Sequence, residues 1–183
     1  MLYQLTGSAE YKQRFKLFKQ TIRDKPQTPN GMTFISQWGS ARHAANAAFL
    51  FAVDAVWTQK HHGRSKNTAA DLKFAKNQIH YILGDGPVLD GRKGSLLIGY
   101  GKVYPIKAHH RSSSCRAPPS TCHSSMIDAT APNPWILYGA VIGGPDTATD
   151  HFQNDRQNYV TNEVAIDYNC GFQSVLAALL AQK

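Results

Sequence analysis

The chain has 183 residues, 42% of them hydrophobic and 10% aromatic, with no low-complexity tract, which suits one packed domain and excludes a disordered chain. Its formal net charge of +8 raises the question of nucleic acid or an anionic membrane surface as partner. The basic residues are scattered, however, no nucleic-acid motif occurs, and no window approaches the roughly 18 apolar residues of a spanning helix. Neither nucleic acid nor membrane is therefore expected as a partner. The opening MLYQLTGSAEYKQ reads as neither a secretory signal nor an anchor.

Residues 8–24 place Tyr11, Phe15, Phe18 and Ile22 at helical spacing. The densest basic run, Lys12 to Lys19, lies on this helix and reads as a solvated face. Pro26, Pro29 and Asn30-Gly31 mark a loop. Residues 37–57 are Ala-rich and apolar on nearly every side, the pattern of a buried helix. Residues 61–67 form a polar link. Thr68 is expected to cap the next helix, which carries Leu72, Ala75, Ile79 and Ile82 on one face and stops at Gly84. From Gly84 to Pro134 the chain turns rich in Gly, Pro, Ser and His, with only a short strand expected at 96–98; a loop region this long is usually functional or disordered. Residues 135–142 read as a short helix and 164–181 as a final apolar one. The sum is an all-α protein with long loops at one end.

Three segments place polar groups where a fold alone would not ask for them. Trp38 and Arg42, four apart, share a helix face if the helix includes both. Together they suit a sugar ring, which stacks on an aromatic plane and offers hydroxyls to donors; taken alone, the pair is more simply read as a core Trp with Arg at its edge. His109 and Arg111, two apart on a Pro- and Gly-rich loop, suit hydroxyls or an anion, or simply a basic surface loop. Glu163, at the start of the last apolar helix, serves either as a favourable N-terminal charge or as a proton donor in a partly apolar cleft. Cys115 and Cys122 close a short ring in a Ser/Pro-rich loop and suit a local disulfide. A metal site using them with His123 fits no common zinc spacing. Cys170, in an apolar segment, reads as a small buried hydrophobe.

Four blocks in this order, FISQWGSARHAANAAF, GYGKVYPIKAHHRSSSC, LYGAVIGGPD and DRQNYVTNEVAIDYNCGFQSVLAAL, resemble family-9 glycoside hydrolases, particularly animal endoglucanases. The resemblance covers nearly the whole chain. It implies an incomplete (α/α)6 barrel with long loops on the cleft side, residues 1–183 being the C-terminal portion of one catalytic domain. It also implies inverting hydrolysis of β-1,4-glucan, outside the cell. Glu163 matches the general acid of the family, and His109 and Arg111 match its His-x-Arg motif. Trp38 and Arg42 match a stacking Trp and a substrate-binding Arg, and Tyr168 a cleft tyrosine. No cofactor and no metal are expected, because no acidic cluster has the ligand count of a calcium site.

The chain departs from the family at two kinds of position. An inverting glycosidase needs a second carboxylate about 6.5–9.5 Å from the acid to activate water. The family supplies it from an Asp-x-x-Asp block, and no two aspartates here are three residues apart. The chain is accordingly expected to be a partial sequence or truncated product, inactive alone. Asn154 stands where the family has a catalytic-site Asp nine residues before the acid, and Val103, Ala108 and Cys170 are further replacements. These departures motivate an alternative, a non-catalytic glucan-binding or degenerate cellulase-like protein.

Overall fold

A stripe of alanines decides how the helices pack. The computed structural model describes residues 1–182. Helix α3 (Ser40–His62) lies between α4 (Lys66–His80) and α7 (Ile166–Leu180). Ala41, Ala44, Ala45, Ala48, Ala52 and Ala55 of α3 are wholly buried. Such small side chains let a neighbouring backbone come close, and α7 answers with Gly171. A Cβ added at Gly171 would stand 2.7 Å from the Asn46 backbone nitrogen and 2.9 Å from the Ala45 carbonyl carbon. Around this seam Met32, Ile79, Ile82, Leu96, Val141, Ile142, Phe172 and Val175 complete the main core.

Helices α1 (Leu2–Thr6) and α2 (Ala9–Arg23) lie outside this layer and are joined to it by charge. Lys19 of α2 reaches Asp54 of α3 at 2.6 Å and Asp71 of α4 at 2.9 Å. Arg23 also pairs with Asp71, and the Tyr3 hydroxyl donates to Asp54. Lys19 thus departs from the solvated face expected for its run, while Lys12, Arg14 and Lys16 are exposed as that reading requires. Burial opposes the Lys19 charge, but the hydrogen bonds and charges of the two aspartates outweigh it and raise its pKa. Burial, followed by the Asp54 hydrogen bond, pushes the Tyr3 phenol up to about 12.

The remaining elements are short. The π-helical turn Tyr81–Asp85 follows α4 and includes Gly84. Strands β1 (Val88–Leu89) and β2 (Arg92–Lys93) pair antiparallel, and β3 (His151–Phe152) pairs parallel with β1 through Val88–His151 and Leu89–Phe152. Helices α5 (Arg111–Ser114) and α6 (Tyr159–Asn162) are single turns, and Ser124–Asp128 is a 3-10 turn. Buried Asp150 accepts from the Tyr81 hydroxyl at 2.9 Å and the Asn30 backbone at 3.0 Å, tying the early loop to this region. Among the described residues no helix is long and apolar enough to cross a membrane.

The all-α expectation holds, with local corrections. The Ala-rich helix runs to His62, which shortens the expected polar link. Helix α4 begins at Lys66, not after Thr68: Ser65 is the cap, its hydroxyl accepting from Thr68 N while the Thr68 hydroxyl accepts from the Ser65 backbone N–H in a capping box. Residues 135–142 are not helical. Pro132 and Pro134 precede them, and their backbone pairs sideways with 96–98, through Ile98 N to Ala140 O (2.9 Å) and Ile142 N to Leu96 O (3.0 Å). An eight-residue apolar run does not distinguish a short helix from a buried extended segment. Cys170 is exposed rather than buried, because α7 turns Tyr168, Gly171, Phe172 and Val175 inward. The apolar content of α7 on all sides concealed which face that was.

Replacing Gly171 with Ala improves helix propensity but forces backbone apart at the α3–α7 seam, so a net loss of about 1–3 kcal/mol is expected in chemical denaturation. Alkali provides a second test. A group whose pKa is raised by folding stabilises fully below its unfolded value, and that stability is lost as pH climbs through the folded value. Stability should therefore fall as pH rises from about 10 to about 12, and Tyr3→Phe should make the fall shallower by about one proton.

Candidate active site

Glu163 sits at an intersection of backbones. It caps the C-terminus of α6, its amide donating to Tyr159 O, with extended backbone angles (φ −65°, ψ 146°). Its carbonyl accepts from Gly143 N at 3.0 Å, and Val164 bridges Ile142. On another side His109 bridges Glu163, the His109 amide donating to Asn162 O at 2.7 Å. Glu163 therefore lies three residues ahead of α7 and is not in its first turn. Asp167 occupies the N-terminal-charge position instead. The reading of Glu163 as a helix-end charge is thereby overturned.

The carboxylate is held from one side. Trp38 Nε1 and the Tyr168 hydroxyl both donate to Oε2, each at 2.7 Å. Among the described residues Oε1 accepts no hydrogen bond. Burial, then the Glu163 hydrogen bond, holds the Tyr168 phenol above its ordinary pKa, so Tyr168 stays protonated and a donor. Trp38 is 45% exposed, which rules out the core-packed reading of it. Its ring lies 5.0 Å from that of Tyr159, and Tyr159 stands 5.9 Å from the His109 ring. Sequence reasoning missed Tyr159 as a member of this cluster. Its place four residues before Glu163, at the first position of α6, was the available signal.

Arg42 stands behind this arrangement. Its guanidinium lies 4.6 Å from the Tyr168 ring centroid and pairs with Asp167 at 2.6 Å. Trp38 precedes α3, so a shared helix face does not explain its proximity to Arg42. Gly39, between them, adopts φ 68° and caps α3; a Cβ there would meet the Tyr168 ring at 3.1 Å. The turn folds Trp38 back over Glu163 while Arg42 passes beneath Tyr168. His43 is pushed below the ordinary imidazole pKa by burial and then by the Arg42 charge.

His109 and His110 diverge. His109 Nδ1 donates to Arg156 O at 2.7 Å, leaving Nε2 as its remaining ring nitrogen. His110 Nδ1 accepts from Ser113 N and caps α5. Arg111 is exposed and lines a 290 Å³ cavity with His109, His123 and Met126. Cys115 and Cys122 form a disulfide with Cα atoms 5.3 Å apart, so their sulfurs are not paired with His123 around a metal. The structure brings Trp38, Arg42, Tyr168 and His109 to Glu163. It does not bring Asn154 there. Asn154 Oδ1 accepts from the backbones of Ile106 (3.1 Å) and Lys107 (3.0 Å), bracing the strand of loop that leads into His109. An amide oxygen accepts both donors as a carboxylate would, which explains how Asn is accommodated.

The model of glycosyl hydrolase family 9 matches residues 2–176. Endoglucanase B of Cellulomonas fimi is 37% identical over 160 residues, covering 86% of this chain and 14% of that protein. Endoglucanase 2 of Oryza sativa subsp. japonica is 39% identical over 180 residues, covering 90% and 27%. Among solved structures, an endoglucanase of the termite Nasutitermes takasagoensis superposes with a TM-score of 0.84 at 40% identity, over 99% of this chain and 39% of that one. The cellulase Cel9M of C. cellulolyticum in complex with cellobiose gives 0.80 at 32% identity, over 99% and 38%. The chain thus spans well under half of each of these relatives.

The Asn154 contacts predict a split between two substitutions. Asn154→Ala strands two backbone donors and should cost about 1–3 kcal/mol in thermal or urea unfolding. Asn154→Asp keeps the acceptor and should stay within about 1 kcal/mol of the parent.

Proposed function

Because the chain belongs to glycosyl hydrolase family 9, whose helical framework is an (α/α)6 barrel, we propose that it carries the acid half of an endo-β-1,4-glucanase active site. Residues 1–183 form the C-terminal portion of one catalytic domain, with Glu163 as general acid. The observation that carries this reading is the one-sided hold on the Glu163 carboxyl. Two donors occupy Oε2, so Oε1 is the oxygen that carries a proton and meets a substrate.

In the reaction, the Oε1 proton passes to the glycosidic oxygen as the bond from that oxygen to the anomeric carbon breaks. A water deprotonated by a second carboxylate attacks the same carbon from the opposite face, inverting it, with the two carboxyls about 6.5–9.5 Å apart. That base is not assigned to any residue of this chain. Trp38 and Tyr159 offer planes for pyranose rings, His109 Nε2 accepts from a sugar hydroxyl, and exposed Arg111 donates to others. Arg42 braces Tyr168, and through it the acid. The substrate is a β-1,4-glucan; the solved relatives described as complexes hold cellobiose, cellotriose or cellotetraose. The Cys115–Cys122 disulfide favours an oxidising, extracellular setting.

Glu163→Gln in the active enzyme should lower kcat by about 10²–10⁴-fold, measured as reducing ends released from soluble cellulose, with cellotetraose affinity retained. Unchanged turnover would remove Glu163 from the acid role. Cellotetraose binding by the parent protein without any release of reducing ends would replace hydrolysis by glucan binding alone.

A further inference from the structure

Arg156 is among the largest fully buried side chains, 2% exposed, yet among the described residues no carboxylate forms an ion pair with it. A buried cation without a counter-charge is costly unless every donor is used. Here the donors go to oxygens of one segment. Nε and Nη2 both reach Asn133 Oδ1, at 2.8 and 2.6 Å. Nη1 reaches Met126 O at 3.1 Å and Ala129 O at 2.6 Å, and Nη2 also reaches Ala131 O at 2.8 Å. Burial lowers the Arg156 pKa, with the Asp155 charge opposing.

The segment so held, residues 126–133, forms a strap. Its start supplies Met126 and Ile127 to the wall of the 290 Å³ cavity, opposite His109 and Arg111. Its end, Asn133, donates to Ala108 O at 3.0 Å and to Ser113 Oγ at 2.5 Å, gripping the His109–Arg111 turn from both flanks. The Arg156 main chain acts on the same turn, because its carbonyl accepts from His109 Nδ1 at 2.7 Å.

From these contacts we propose that Arg156 is a positioning residue for His109 and for the cavity wall. Its guanidinium fixes the strap and the turn, and its carbonyl selects the Nδ1–H tautomer of His109, presenting Nε2 as an acceptor. The functional meaning of that tautomer rests on the proposed placing of His109 against a glucan; the positioning itself does not.

The test is nitrogen NMR of the intact protein labelled on histidine, joined to amide hydrogen exchange. The parent should show His109 in the Nδ1–H form, and a parent in the Nε2–H form would overturn the proposal without any variant. Arg156→Lys keeps the charge but offers one donor centre in place of three. It should lose the single His109 tautomer and the exchange protection of residues 126–133, while the α3–α7 seam stays protected. An Arg156→Lys protein with the parent tautomer and strap protection would also overturn it. Titration of the parent with cellotetraose separates the two claims. Absence of binding there counts against the glucan reading and leaves the tautomer result to decide the role of Arg156.

Discussion

The seam between α3 and α7 is the contact on which the candidate site depends. Alanines line one side and Gly171 the other, with the Asn46 side-chain oxygen beside it, so the two backbones approach closely at that point. Close approach there sets the helix beginnings side by side. Trp38 and Arg42 flank the start of α3, and Glu163, Asp167 and Tyr168 flank the start of α7. The indole and phenol reach one carboxylate oxygen, and the guanidinium meets Asp167, because the two starts coincide. Asn169, on the next position, ties the same helix to the 139–141 segment through Val141 N and Gly139 O. The precision of the site is borrowed from packing several residues away.

Charge is handled in two opposite ways in this protein. On the outer layer, Lys19 and Arg23 meet Asp54 and Asp71, so α2 is fastened by paired ions whose carboxylates are almost inaccessible. Removing one partner of such a cluster strands the other, which makes it a strong constraint on which helices are neighbours. Under the long loops, Arg156 forms no ion pair among the described residues and is satisfied by carbonyl and amide oxygens. A guanidinium with donors in a fixed plane can gather several backbone oxygens where a single ion pair would hold one point. The first arrangement fixes helices, the second a loop with almost no regular structure of its own.

The Asn154 position illustrates how a substitution is judged differently once contacts are known. As a sequence difference, Asn for Asp nine residues before Glu163 removes a charge from the neighbourhood of the proposed acid. In the fold, among the described residues, the side chain makes no hydrogen bond to Glu163 and receives two backbone N–H groups, a task that depends on an oxygen acceptor and not on charge.

Helical periodicity and alanine content determined the long helices α2, α3, α4 and α7 to within a few residues, since those patterns reflect burial along a single element. The order of four blocks determined the family and pointed to Glu163, Trp38, His109 and Tyr168. The short, non-local features lay beyond this reading. Within 135–142 a turn at Tyr138–Gly139 leads into residues 140–142, which pair with 96–98 instead of continuing a helix, and a local apolar run carries no record of a distant partner. Lys19 left the solvent for aspartates 35 and 52 residues away. Arg156 lies inside the block DRQNYVTNEVAIDYN with no residue pattern to mark its role, and it became a clamp because folding surrounded it with carbonyls. Tertiary structure alone decided these points, because each depends on which backbone groups from remote segments are left without water and must find a partner.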